Sequence, residues 1–399
     1  MAAVIHDAAS AVMVGERARG ALSADVFADL DAVEALWRSM EADPACLCTP
    51  YQRFDWAAAY LRATGATEDG STRVRVVVLR DARGRPLLLL PLVLRRERGV
   101  AVARTVGDAH ANFHLPLFAA RDAAALPPAD VQAALVQAGR AAGIEVYVLS
   151  HQPQTWDGAI NPLLVAGEPE ASDAYGLFLG PDPEATVRRA FSADARKKLR
   201  SKEKRLVEAK GPVEYRRAET PEEARGYLDA FYAQKAARFA AMGIGDPYGG
   251  EPIRRFLAAA VSGADPAIEL HALRLAESGR VLAVFGGAVS AGRYSGMMTS
   301  FDADPEVSRY SPGDLLLQHL VRDQTARGRQ GFDLGVGEAR YKASICDETI
   351  ELAETVVPVT LRGRAFGLVR IGLKRVKRRI KRDPRLFEAV QRLRVLRRR

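Results

Sequence analysis

Between Ile268 and Lys342 the chain sets out one order of elements that constrains it more than any other stretch. Residues 268–275, 281–290 and 293–301 read as three strands, separated by ESGR at 277–280 and by the pair Ala291–Gly292, both suited to hairpins. The apolar period then changes, and residues 313–328 form a helix. A short strand at 332–334 follows and ends in DLGVGEARYK. Ser311 stands where an N-cap belongs, Pro312 at the first helical position and Gly313 next. Pro loses nothing there, because its missing N–H had no intrahelical partner, and Gly lets a ligand approach the backbone. Free N–H groups and the helix dipole make such a helix start suited to phosphate. Ser-Pro is also an ordinary helix opening, so this feature alone does not decide.

The rest of the chain supplies a second series. Residues 25–40 place Val26, Leu30, Val33, Leu36 and Trp37 on one helical stripe, and Thr49-Pro50 opens another helix. RVRVVVL, the turn DARGR and PLLLLPLVL give an antiparallel hairpin across residues 74–94. A strand over 101–106, a helix over 127–142 and a strand over 145–149 follow. Beyond a polar, Pro-containing stretch (151–183) come a very basic helix at 192–210, helices at 221–242 and 252–262, and a final strand at 351–361. The two halves share a coarse order: helices, antiparallel meander, helix, strand. The expected fold is therefore α/β (α+β), with two mixed, mostly antiparallel sheets flanked by helices. The expected division is a disordered arm at 1–24, units at 25–175 and 180–361, and a basic amphipathic tail at 362–399.

Charge sharpens that division. The net charge is +9, yet residues 362–399 hold sixteen Lys and Arg against Asp383 and Glu388. That segment carries +14 and leaves the body at −5. Its Val376, Ile380, Leu386, Phe387, Val390, Leu393 and Leu396 give it an amphipathic pattern, suited to an anionic membrane surface, to nucleic acid or to the acidic body itself. The three cysteines, Cys46, Cys48 and Cys346, argue against a disulfide framework and for a reducing, cytoplasmic compartment. Cys46 and Cys48 are too close for a zinc knuckle, so no metal is expected. The first twenty residues lack a basic then apolar leader, and PLLLLPLVL is too short to cross a bilayer.

FSADARKKLRSKEKRL, the helix with Phe231, Tyr232 and Arg238, VLAVFGGAVSAGRYSGMMTSFD, RYSPGDLLLQHLV and GFDLGVGEARYKASI occur in order. Together they resemble the GNAT acyltransferase superfamily, in its cellulose-biosynthesis-type (CelD/BcsL-like) branch, which is related to FemAB-like transferases. TPYQRFDW at 49–56 extends the likeness to roughly residues 30–361. The resemblance implies a tandem GNAT-like fold and transfer of an acetyl or other acyl group from acyl-CoA to the amine of a small molecule or amino sugar, with surface polysaccharide synthesis as one setting. It implies a CoA pyrophosphate held by Arg309, Tyr310, Ser311, Gly313 and Asp314. RYSPG there replaces the Arg/Gln-x-x-Gly-x-Gly/Ala loop of most GNAT enzymes. The other readings are a FemAB-like aminoacyl or peptidyl transferase, and a non-catalytic accessory protein of this fold at a membrane.

Attack of an amine on a thioester needs a base and an acid for the leaving thiolate. Asp333, Glu338 and Asp302 are the candidate bases, although Asp333 also suits a strand-end carboxylate that caps nearby N–H groups. Tyr341 is the candidate acid or a half-buried aromatic. Lys342 is an anion binder or a solvated charge. Arg238 and the GDAHANFHLP residues His110, Asn112 and His114 are assigned to substrate, as a polar wall between the halves. Seven cations between Arg196 and Arg205 on the 192–210 helix suit CoA phosphates, an anionic sugar or tRNA, or form a solvated face. The expected location is cytoplasmic, with peripheral attachment at the inner membrane face as the variant of that reading, and nucleic acid is not an expected partner.

Overall fold

A computed structural model describes residues 3–7, 10–12, 22–64, 72–164 and 167–382. Two large mixed sheets organise them, one of ten strands and one of seven. In the second sheet Val213–Arg217, Ile268–Leu275, Val281–Val289 and Arg293–Phe301 pair antiparallel in sequence order. Gly331–Val336 then runs parallel to Arg293–Phe301, reached through the Pro312–Ala326 helix. That helix packs on one face of the sheet with Leu315, Leu316, Leu320 and Val321 against Leu273, Phe285 and Phe332. The opposite face carries the Pro221–Met242 and Glu251–Ala260 helices and leads into the first half. There Phe256 meets Trp56 and Tyr60 edge-to-face, both at 5.2 Å between ring centroids. These three rings are buried and lie in one apolar core that crosses the boundary between the halves.

Both sheets contain the same irregularity. Arg293–Phe301 pairs with Gly331–Val336 only at 293–295 against 331–333. Val100–Thr105 pairs parallel with Val146–Pro153 only at 102–104 against 146–148. Beyond those three residues each pair of strands diverges and opens a gap toward their carboxyl ends. The joining helices, Pro312–Ala326 and Pro128–Ala142, are of equal length, 15 residues. The first half is thus a structural counterpart of the second, although no sequence repeat links them.

The chain crosses the expected division at several places. Ala174–Phe178, at the edge of the expected 25–175 unit, inserts between Gly331–Val336 and Glu348–Ile350 in the second sheet. Leu352–Pro358, expected to close the second unit, pairs antiparallel with Val146–Pro153 in the first sheet. Within the arm expected at 1–24, Ala3–Asp7 pairs parallel with Ser23–Phe27 and extends that sheet. Val26 therefore lies on a strand rather than on the helical stripe assigned to it; the helix begins at Asp31, with Val33, Trp37 and Met40 inward. The β-branched pairing partners of Ser23–Phe27, Val76–Val78, explain why a strand wins over the helical period there. Leu361–Arg382 is a helix docked on the first sheet, not a loose tail. The tail residues 383–399 lie outside the described residues.

Candidate functional site

The gap in the second sheet is built from a change in register. Gly286 faces Met298 and Gly287 faces Gly296, so Met297 is an extra residue on the Arg293–Phe301 strand. Such a bulge bends the strand and leaves its own polar groups outside the ladder. Three glycines make the crowding tolerable. A Cβ on Gly287 would stand 2.4 Å from the Tyr294 ring, and one on Gly296 2.6 Å from Phe285 and 2.9 Å from the Asp333 carbonyl. After Ser295 the strand edge facing the gap has no parallel partner.

The Pro312–Ala326 helix starts at the mouth of this gap. Ser311 is not the extended N-cap its position suggests: it sits in the left-handed region at φ 54° and makes no capping bond. Pro312 disfavours the right-handed helical region for the residue before it. The Ser311 N–H meanwhile donates to the Ser308 carbonyl at 2.9 Å and closes the preceding turn. For a non-glycine residue this conformation costs about 1–3 kcal/mol. The Ser311 hydroxyl instead accepts a bond from Lys202 Nζ at 2.6 Å. The Asp314 N–H is also engaged, with the Ser311 carbonyl at 3.0 Å. Of the three amides expected to meet phosphate, Ser311, Gly313 and Asp314, two are therefore already bonded, and Gly313 supplies the open one. A Cβ on Gly313 would meet only Phe301, at 3.8 Å. Arg238 lies over the Phe301 ring at 5.5 Å, which brings a second cation to the mouth. Asp314 is exposed in the first helical turn, where it favours the dipole. Arg309 pairs with Glu306 at 3.2 Å and with the Tyr310 hydroxyl at 2.9 Å.

The expected bases do not converge. Asp333 is fully buried and is gripped by Arg293, Nε at 3.0 Å and Nη2 at 2.5 Å, and by the Ser295 hydroxyl. Arg293 also bonds Glu348 and lies over Trp156 at 4.4 Å. Burial pushes the Glu348 carboxyl up, against the pull of Arg293. Asp333 is thus half of a buried ion-pair cluster that ties three strands together at the root of the gap. Asp302 is clamped by Arg280 at 2.6 Å across a hairpin end. Glu338 is exposed and lines a separate groove with Glu170, Asp173 and Glu351. Lys342 is buried, its Nζ donating to the Gly335 and Val336 carbonyls at 3.0 and 3.1 Å, so it ties off a strand end rather than meeting an anion. Burial lowers its pKa. Tyr341 is half exposed near the helix start. Burial raises its phenol pKa, with smaller contributions from Cys346 and Asp314, so it holds its proton at neutral pH.

The three polar residues of GDAHANFHLP go to different places. Asn112 enters the gap itself: its amide donates to the Gly296 carbonyl at 2.9 Å and to the Tyr51 hydroxyl at 2.7 Å. On the other side of the gap Gly335, at φ 75°, leaves no room for a Cβ, which would lie 2.8 Å from the Asn112 Oδ1. His110 stands edge-to-face on Tyr248 at 5.6 Å, and the Tyr248 hydroxyl donates to the bulge carbonyl of Met297 at 3.3 Å. Burial lowers the His110 pKa, against the opposing pull of Asp108, and the imidazole is neutral at pH 7. His114 is buried in the first half, stacked on His151 at 6.0 Å; burial, then His151, brings its pKa to about 3. Sequence reasoning missed Tyr51, Tyr248 and the specific role of Lys202. The facing glycines GG and SGM were the one available sign of the bulge.

A second buried cluster lies at the C-terminal end of the same helix. Arg329 holds Glu269 through two bonds of 2.9 and 2.8 Å, and Tyr215 bonds His271 at 2.7 Å. Burial alone would raise the Glu269 pKa, but Arg329 and then His271 pull it far below its ordinary 4.5. A depressed carboxyl contributes stability that is complete above about pH 4.5 and is lost as pH falls toward the folded value. Denaturant midpoints measured from pH 6 to pH 3 should therefore fall more steeply for the native chain than for Glu269→Gln, which starts lower.

A divided sheet with a bulge beside the gap and a helix start at its mouth defines the GNAT acyltransferase fold, present here in tandem. Residues 193–343 match the family model described as an acetyltransferase (GNAT) domain, and acyl transfer is the enzyme class that goes with it. No curated relative matches the sequence. Among solved structures, FemX is similar at 9% identity over 86% of this chain and 98% of that one, with a TM-score of 0.53. L-PGS from Bacillus licheniformis is similar at 12% identity over 84% and 97%, TM-score 0.46. A tandem GNAT protein from the clavulanic acid biosynthesis pathway is similar at 13% identity over 85% and 99%, TM-score 0.43. Among the described residues no group of His, Cys, Asp and Glu is arranged to hold a metal ion.

Proposed function

We propose that the chain is an acyl-CoA-dependent N-acyltransferase whose donor enters the gap beside Arg293–Phe301 from the Pro312 end. The observation that carries this reading is the strand edge after Ser295, which has no strand partner and meets the Asn112 and Tyr248 side chains at its Gly296 and Met297 carbonyls, with the open Gly313 amide beside its Phe301 end. Acyl-CoA has an arm with two amides, which an unpaired strand edge can bond as it would another strand. Its pyrophosphate suits the Gly313 N–H with Lys202 and Arg238 close by. The acceptor amine then approaches from the first half, past Tyr51, Asn112 and the neutral His110, which can take the amine proton directly or through a water. Tyr341 protonates the departing thiolate. Asp333 has no proton-transfer role in this scheme and is a positioning residue.

The proposed acceptor is a small amine or amino sugar, with surface-polysaccharide assembly as its setting. The seven cations between Arg196 and Arg205 support an anionic acyl donor, although Lys204 and Arg205 are paired within their own helix. The test is release of free CoA thiol from acetyl-CoA in the presence of a panel of amines and amino sugars. Acceptor-dependent release supports the proposal. Aminoacyl transfer from charged tRNA, with no thiol release, would replace it with the peptidyl-transferase reading.

A further inference from the structure

The Leu361–Arg382 helix lies against the first sheet with its small residues inward. A Cβ on Gly363 would stand 1.8 Å from the Glu145 carbonyl, and one on Gly367 2.7 Å from Val356. On the same face Arg370 pairs with the buried Glu354 at 2.6 Å and Lys374 with Glu170 at 2.7 Å. Together they roof a cavity of about 510 Å³ at the gap of the first sheet. This face cannot be exchanged for another. Rolling the helix would strand a buried carboxylate and drive larger side chains into backbone.

The opposite face therefore stays outward, and it is apolar. Leu361 is 84% exposed, Leu368 65% and Val376 56%, while Val369 at 56% and Leu373 at 53% stand on the flank, where they also border the cavity. They make up five of the twelve exposed large apolar side chains among the described residues, gathered on one helix. At 100° per residue Leu361, Leu368 and Val376 form one stripe, with Val369 at its edge. Arg364 and Arg375 lie along one margin of it and Arg362 along the other, Arg375 also pairing with Glu168, while Arg379 falls on the stripe itself. Residues 361–382 contain ten Lys and Arg and no acid. No helix among the described residues is long and apolar enough to cross a membrane.

An apolar stripe flanked by cations, fixed outward on a folded body, matches the chemistry of a bilayer with anionic headgroups. We infer that the outward face of this helix is a docking surface for an anionic lipid bilayer. The stripe enters the headgroup–acyl boundary while the flanking cations meet lipid phosphates. The helix lies in the plane of the membrane, and the cavity beneath it is held close to the lipid surface. This surface is distinct from the acyl-transfer gap, so the inference stands or falls independently of the proposed reaction.

The experiment is flotation of the full chain with vesicles of phosphatidylcholine alone and of phosphatidylcholine mixed with phosphatidylglycerol. The native chain should float with the anionic vesicles and remain behind with the neutral ones. The triple variant Leu368→Ser, Val369→Ser, Val376→Ser keeps every charge and alters only exposed side chains. It should melt as the native chain does and lose about tenfold or more in affinity for the anionic vesicles. Full binding by the triple variant would assign the contact to charge alone, in residues 383–399 or elsewhere, and overturn the inference. So would failure of the native chain to float, self-association that the triple variant abolishes, or retention on nucleic acid in preference to vesicles.

Discussion

Arg293→Met should destabilise the protein by about 3–5 kcal/mol, the cost of removing one partner from a buried ion pair. Asp333 is fully buried, and Arg293 supplies its charge partner and most of its hydrogen bonds. Glu348 loses the same guanidinium. The Glu348 carboxyl, already pushed up by burial, would then lose the cation that opposes that rise. A raised carboxyl gains stability as it protonates, so the deficit should narrow as pH falls from 7 toward 5. Denaturant unfolding at several pH values reads both the size and the slope. A variant as stable as the native protein, or a deficit independent of pH, would return Asp333 to the list of free carboxylates and reopen its candidacy as the base.

The second large effect is on turnover. Tyr341→Phe should lower kcat by about 10²-fold or more, the scale of a positioned proton donor, and leave acetyl-CoA affinity nearly unchanged. The phenol is half exposed at the gap mouth, so its loss leaves no buried group unpaired. Its raised pKa also predicts that activity in the native enzyme persists into alkaline pH, until the phenol ionises. Stopped assays of thiol release across pH provide the comparison. An unaltered kcat would make Tyr341 a packing residue and assign thiolate protonation to solvent.

The order of elements from Ile268 to Val336 was legible in the sequence because each strand and helix there follows its local period. Pro312 and Gly313 marked the helix start correctly for the same reason. What depended on partners far along the chain was not legible. Asp333 looks like any strand-end carboxylate until Arg293, forty residues earlier, is placed beside it by three parallel backbone pairs. Lys342 reads as an anion binder until the chain turns back and lends it two carbonyls. Leu352–Pro358 has the alternation of a strand, but nothing in that pattern says which of two sheets it joins. The basic 362–399 segment shows the same limit: its charge was plain, while Gly363 and Gly367, which let the helix dock, look like helix breakers in isolation. Ser311 was expected to cap because of its type and position, and the proline after it, together with the closed turn before it, imposed a different conformation.

In the proposed complex acyl-CoA lies along the gap with its pyrophosphate at Gly313. Calorimetric titration of acetyl-CoA into the native chain and into Gly313→Val tests it most directly. Gly313 has ordinary helical geometry and open space where a Cβ would go, so the substitution blocks the ligand without straining the fold. The native chain should bind saturably and the variant should lose about 1–3 kcal/mol, the range for hydrogen bonds to a charged group, with unaltered melting. Equal affinity in both proteins, or no binding to the native chain, would contradict it.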